Sequence, residues 1–186
     1  LKALKTLTVT ARAVGLAPNA TQPPIETLTQ LAYPNRVRVE TRASGGTVLQ
    51  VFNGDTAWIR DGRGVREVPE RMTSDLEAGL RRDAIAALLA VERGELRARV
   101  LPDLRRDDNA PAWRAVEVSG PSVDPMVFYV DPQTFRIVKQ TYVSGGLGGP
   151  LVEEQFDDYR TIDGISVAFK ATVSVGGTPM VERRVL

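Results

Sequence analysis

The stretch Arg36-Val37-Arg38-Val39-Glu40 sets a charge at every second position and a valine between each pair. Side chains of a strand point alternately to its two faces, so this segment predicts a β-strand with one wet side and one apolar side. Val37 and Val39 are expected to point inward, and Arg36, Arg38 and Glu40 into water. Upstream, residues 7–14, rich in Thr and Val, and residues 25–32 predict two more strands, separated by a loop over 17–24 that carries three prolines. Downstream, Gly45-Gly46, Asn53-Gly54-Asp55 and Asp61-Gly62 punctuate short apolar runs at 47–52, 56–60 and 64–68. Pairs such as Asn-Gly favour tight hairpin turns, so this half of the chain reads as a meander.

The hydrophobic period then changes once. Leu76, Leu80, Ala84, Leu88 and Val91 recur at helical spacing, and Ile85 and Leu89 widen the stripe. Ser74 with Glu77 three residues on has the form of a capping box, and Gly94 that of a residue just past a helix end. One helix over 74–93 is predicted, about 27–30 Å long at 1.5 Å per residue. Strand patterns resume at 96–101, 112–118, 125–130, 135–142, 151–159, 165–175 and 180–186, with a polar loop over 102–111. Leu1, Leu4 and Lys5 read as the end of an amphipathic helix that turns into the first strand.

Composition narrows the function classes. With 186 residues, 42% of them apolar, and no low-complexity linker, the chain reads as a single domain over 1–186. A net charge of +1, from 24 basic and 23 acidic residues, asks for no nucleic acid. The chain has no Cys and no His, which removes thiolate nucleophiles, Ser-His-Asp catalysis and the common metal sites. No run reaches the ~18 apolar residues of a transmembrane helix. Glu153-Glu154 and Asp157-Asp158 are neighbours in one strand, so the members of each pair point to opposite faces and cannot act together across a cleft. Arg97, Arg99, Arg105 and Arg106 read as a solvated face among acids. Gly145 to Gly149 lacks the Gly-Lys-Ser/Thr and the following helix of a phosphate loop. No catalytic residue, metal site or cofactor is assigned, and the chain is read as a non-enzyme.

The order of elements resembles the LolA/LolB-like superfamily of periplasmic lipoprotein carriers and receptors. The resemblance rests on Pro34-Asn35-Arg36-Val37-Arg38-Val39-Glu40, on Phe52-Asn53-Gly54-Asp55-Thr56-Ala57-Trp58, on Phe128-Tyr129-Val130-Asp131-Pro132-Gln133-Thr134 and on Glu154-Gln155-Phe156-Asp157-Asp158-Tyr159-Arg160-Thr161-Ile162-Asp163-Gly164-Ile165. It covers nearly the whole chain. It implies a mostly β fold: a curved, antiparallel, unclosed half-barrel of about ten to eleven strands, with a helix covering the concave face and acyl chains between the two. The family's first helix is mostly missing here, so the chain is read as truncated at that helix and as part of a larger exported protein. The arginine that carriers use in cargo handover has no match. Arg36 and Arg38 lie near the right strand but alternate with valines, and neither is given that role.

The functional expectation is binding without chemistry. An acyl chain, a lipoprotein or another apolar ligand would lie in the concave face, in lipid or lipoprotein trafficking at the cell envelope. The residues expected to line the site are Val37, Val39, Leu49, Val51, Trp58, Leu80, Leu88, Val91, Phe128 and Ile137. The partners implied are a lipid or the acyl chain of a lipoprotein and an envelope protein, with peripheral membrane association, in the periplasm or at the outer membrane. The alternative is a structural or interaction module of a larger secreted protein, its concave face filled by its own side chains.

Overall fold

A computed structural model describes residues 4–17, 22–102, 113–121, 123–145 and 148–186. The expected loop over 102–111 and the segment Leu1 to Ala3 fall largely or wholly outside these residues, as do parts of the loops at 17–24 and 145–149. Thr6 already begins a strand, and Leu4 and Lys5 are not helical.

The strands are β1 Thr6–Gly15, β2 Ile25–Ala32, β3 Arg36–Ala43, β4 Gly46–Phe52, β5 Ala57–Asp61, β6 Gly64–Glu67, β7 Arg97–Val100, β8 Arg114–Gly120, β9 Val123–Val130, β10 Ile137–Val143, β11 Leu151–Ile162, β12 Ile165–Val175 and β13 Thr178–Val185. They are hydrogen-bonded in the order β6-β5-β4-β3-β2-β1-β13-β12-β11-β10-β9-β8-β7. The ends of that order are β6 and β7, so the sheet does not close. The fold class is as expected, but the count is 13 strands among the described residues instead of about ten to eleven. Each of the segments bounded by turn residues became a strand, whereas the lower number came from the resemblance.

The chain divides into two compact units. The first comprises residues 1–15, 19–90 and 183–186, and the second residues 16–18 and 91–182.

In the first unit the register sets one row of side chains across five strands: Leu7, Leu31, Val37, Phe52 and Ala57. Four of them are core, from Leu31 and Val37 at 8% exposed to Ala57 at 0%. Two residues along, a second row on the same face runs Val9, Thr29, Val39, Gln50 and Ile59. The other face carries the charges. Glu40 accepts hydrogen bonds from Arg42 and Arg38, which hold its carboxyl below the ordinary range, and Arg12 pairs with Glu26. The alternation in β3 thus sorts as its sequence indicates. The β4–β5 turn is fixed by Asn53, whose Oδ1 accepts the Thr56 N–H at 3.3 Å. Gly54 sits at φ +109°, and a Cβ there would meet Asn35 at 2.5 Å, so both conformation and space call for glycine.

The single predicted helix is two: α1 Glu70–Arg82 and α2 Ala84–Glu92. The break is at Asp83, whose backbone is non-helical at φ −57°, ψ 127°. Its Oδ1 accepts the Ala86 N–H at 2.9 Å, the bond an N-cap side chain makes to the third residue of a helix. Asp83 therefore starts a new helix within the apolar stripe. The expected capping box does not form. α1 begins after Pro69, and the Ser74 hydroxyl lies inside it, donating to the Glu70 carbonyl. Gly94 takes its expected place, at φ +77° with its N–H on the Val91 carbonyl. α1 packs over β4, with Leu80 6% exposed in the core beside Val37 and Phe52.

The second unit has its own buried side chains, Met126 and Phe128 on β9, Val118 on β8 and Gln140 on β10. Phe128 lies opposite Val116 and Gln140 in the register. The strand expected from Phe135 begins instead at Ile137, because Asp131 closes a turn. Its Oδ1 accepts the N–H groups of Gln133 and Thr134, and its carbonyl accepts that of Phe135.

Candidate functional site: an apolar cleft under the first helix

A cleft of about 260 Å³ lies in the first unit between α1 and the inward rows of the sheet. Its floor is Thr29 and Leu31 of β2 with Val37 and Val39 of β3. These positions are paired in the register, Leu31 with Val37 and Thr29 with Val39, so the floor is two adjacent cross-strand pairs. Its roof is Asp75, Leu76, Gly79 and Leu80 of α1, and Asp83 after it. Those residues recur three and four apart, which places them along one side of a helix.

Gly79 lines the open side of this cleft. It is a mid-helix glycine, about 1 kcal/mol less favourable there than alanine. A Cβ at Gly79 would meet nothing within 4 Å. Gly79 is exposed, so between Leu76 and Leu80 the helix presents no side chain over the open side of the cleft.

Asp83 closes one end. Besides capping α2, its Oδ1 accepts the Tyr33 hydroxyl at 3.3 Å. Loss of water around the carboxyl raises the Asp83 pKa, against the lowering effect of the Ala86 N–H, the Tyr33 hydroxyl and the charge of Arg183. Burial and the neighbouring Asp83 charge also push the Tyr33 hydroxyl well above its ordinary value.

The residues expected from sequence divide into groups. Val37, Val39 and Leu80 come together in this cleft. Leu49, Val51 and Trp58 stand on the opposite face of the same strands, since Val51 pairs with Arg38 and Trp58, and Leu49 pairs with Glu40 and Arg60. Leu88 on α2 is 38% exposed. Val91, Phe128 and Ile137 belong to the second unit, where Phe128 is core at 2% exposed and the other two are partly buried. Sequence reasoning did not single out Thr29, Leu31, Asp75, Gly79 and Asp83. The two-residue spacing of Thr29 and Leu31, set against that of Val37 and Val39 across a tight turn, is the signal that would have found the first two.

Glu153 and Glu154 have separate partners on opposite faces of β11. Glu153 binds Lys139 at 3.1 Å, and Glu154 accepts the Tyr142 hydroxyl on the other face. Lys139 is held between Glu153 and the rings of Tyr129 and Trp113, with its ammonium 4.3 Å and 5.7 Å from their centres. Among the described residues no group of three or more acids gathers to hold a metal ion, and no helix is long and apolar enough to cross a membrane.

No family model and no curated protein sequence matches the chain. Solved structures do. A LolA superfamily protein from Nitrosomonas europaea is similar at a TM-score of 0.67 and 14% identity, over 98% of this chain and 83% of that one. A putative outer membrane lipoprotein-sorting protein domain from Vibrio parahaemolyticus is similar at 0.62 and 13% identity, over 97% and 83%. A DUF1329 family protein from Desulfovibrio piger is similar at 0.66 and 12% identity, over 100% and 85%. At such identities the likeness is one of fold, and the chain has a LolA-like fold.

Proposed function

We propose that the first unit binds one acyl chain in the cleft under α1, as a non-catalytic carrier or receptor domain in lipid or lipoprotein trafficking at the cell envelope. The observation that carries this reading is the open, largely apolar cleft roofed by Leu76 and Leu80 and floored by Leu31, Val37 and Val39. The apolar side chains lining an open cleft meet water, and an acyl chain that covers them removes that contact. One similar structure is that of a putative outer membrane lipoprotein-sorting protein domain, which supports a lipidated cargo and a place in the periplasm or at the outer membrane.

The energetics suit reversible carriage. At about 0.8 kcal/mol per buried CH₂, eight methylenes contribute roughly 6 kcal/mol, which corresponds to a dissociation constant in the tens of micromolar. The volume, about 260 Å³, falls just below the usual range of roughly 300–1,000 Å³ for ligand sites and suits a single chain. Native mass spectrometry of the freshly purified protein tests the reading. The expected result is a protein peak accompanied by a lipid-sized adduct that organic extraction removes. A bare protein peak, from a sample that also takes up no added lipid, favours the structural-module alternative.

A further inference from the structure

The cleft carries charge of one sign only. Among the described residues Asp75 and Asp83 line it, and no lysine or arginine does. The two acids are eight residues apart, about 12 Å along a helix axis, so they stand at two ends of the apolar span made by Leu76 and Leu80. Asp75 is exposed, whereas Asp83 is partly buried. The Asp83 carboxylate is held in place by the Tyr33 hydroxyl at 3.3 Å and the Ala86 N–H at 2.9 Å, both on Oδ1. Arg183, whose charge acts on it, is not among the residues lining the cleft.

This arrangement constrains the polar end of a chain lying in the cleft. A carboxylate or phosphate brought against Asp83 would set like charges together where water is scarce. A hydroxyl, amide or ammonium would instead donate a charge-assisted hydrogen bond to a fixed acceptor. We propose that the cleft selects single-chain amphiphiles whose head is a hydrogen-bond donor without negative charge, with Asp83 as the head-group acceptor, and that it discriminates against free fatty acids. This rests on the cleft being an acyl site, and it names the class of ligand that site takes.

The test is displacement of an uncharged acyl fluorophore from the whole chain by 1-dodecanol, dodecylamine and dodecanoate, which share one tail. The alcohol and the amine are expected to displace the probe at about tenfold lower concentration than dodecanoate, a difference equivalent to one pairwise charge contact. Asp83→Asn keeps the N-cap, as asparagine caps helices as well as aspartate does, and is expected to bring dodecanoate within about threefold of the others. Asp75→Asn, at the exposed end, is expected to leave the order unchanged. Equal displacement by all three in the wild type overturns the proposal while leaving the acyl site standing. So does a preference that survives Asp83→Asn, or one removed by Asp75→Asn alone. Failure of the probe itself to bind is a separate result, which removes the acyl site and this inference with it.

Discussion

Asp83 Oδ1 accepts both the Tyr33 hydroxyl, at 3.3 Å, and the Ala86 N–H, at 2.9 Å, so one oxygen ties the β2–β3 turn to the start of α2. The bond breaks the helix into two, fixes the end of α1 and seats an acid at the end of an apolar cleft. Removing the oxygen and removing only its charge should have different effects. Asp83→Ala is expected to lower stability by about 1 kcal/mol through the lost cap, and Asp83→Asn by much less. The pH dependence follows from the raised Asp83 pKa. An acid that binds its proton more tightly in the folded state makes unfolding easier as pH rises. The decline begins near the ordinary aspartate value of about 4 and ends once pH passes the raised folded value. The groups facing Asp83 are Tyr33, Arg183 and the N–H groups of Ile85 and Ala86, and of these Arg183 and the donors limit the shift. Urea midpoints measured across that window should fall with pH in the wild type by more than in Asp83→Asn.

Leu80 ties α1 to the sheet. It is 6% exposed in a cluster with Val37, Phe52 and Val68. Leu80→Ala should cost about 2–4 kcal/mol in denaturant unfolding, the range for a buried leucine whose site collapses only in part. A cost near zero would mean that α1 is not anchored there.

The legibility of the fold traces to local chemistry. The alternation in β3 fixed the facing of Val37 and Val39, because charges leave only one face for the core. In β4 the run Val48-Leu49-Gln50-Val51-Phe52 is apolar on both faces, so period alone could not orient Leu49 or Val51. The register could have done so. The Asn53-Gly54 turn pairs Phe52 with Ala57, and Phe52 with Val37 across β3, which sends Val51 and Trp58 to the face of Arg38. The helix break was hidden because the apolar stripe runs past it. Asp83 followed by Ala-Ile-Ala is an N-cap signature, but it lies inside a pattern that already reads as helix. Gly79 carried no signal, as a glycine within a helical period is defined only by what faces it.

The two faces of the first unit should respond differently to one substitution. Val39→Asp puts a carboxylate on the cleft floor and is expected to abolish binding of an acyl probe. Val51→Asp, on the Arg38 face, should leave that binding within about twofold, a change of only a few tenths of a kcal/mol. Equal loss from both would show that the probe is not in the cleft. Circular dichroism of each variant separates loss of binding from loss of fold.

Phe135 is 81% exposed and sits at φ +56°. A side chain in the left-handed region costs about 1–2 kcal/mol relative to glycine, and little packing offsets it at that exposure. Phe135→Gly is expected to raise stability by about 1 kcal/mol, seen as a higher urea midpoint at unchanged slope. A loss of stability would mean that the ring makes contacts that the turn depends on.

The cleft is tested by placing a side chain over its open side at Gly79. Leucine has a much better helix propensity than glycine, by somewhat under 1 kcal/mol, and a Cβ at this position meets open space. Gly79→Leu should therefore fold with a melting temperature at or above that of the wild type, with its side chain over the open side of the cleft. The decisive measurement is fluorescence titration of an uncharged acyl probe into both proteins. Binding to the wild type in the tens of micromolar, reduced about tenfold or more in a fully folded Gly79→Leu, is the predicted result. Equal binding to both, or none to the wild type, would contradict an acyl site under α1.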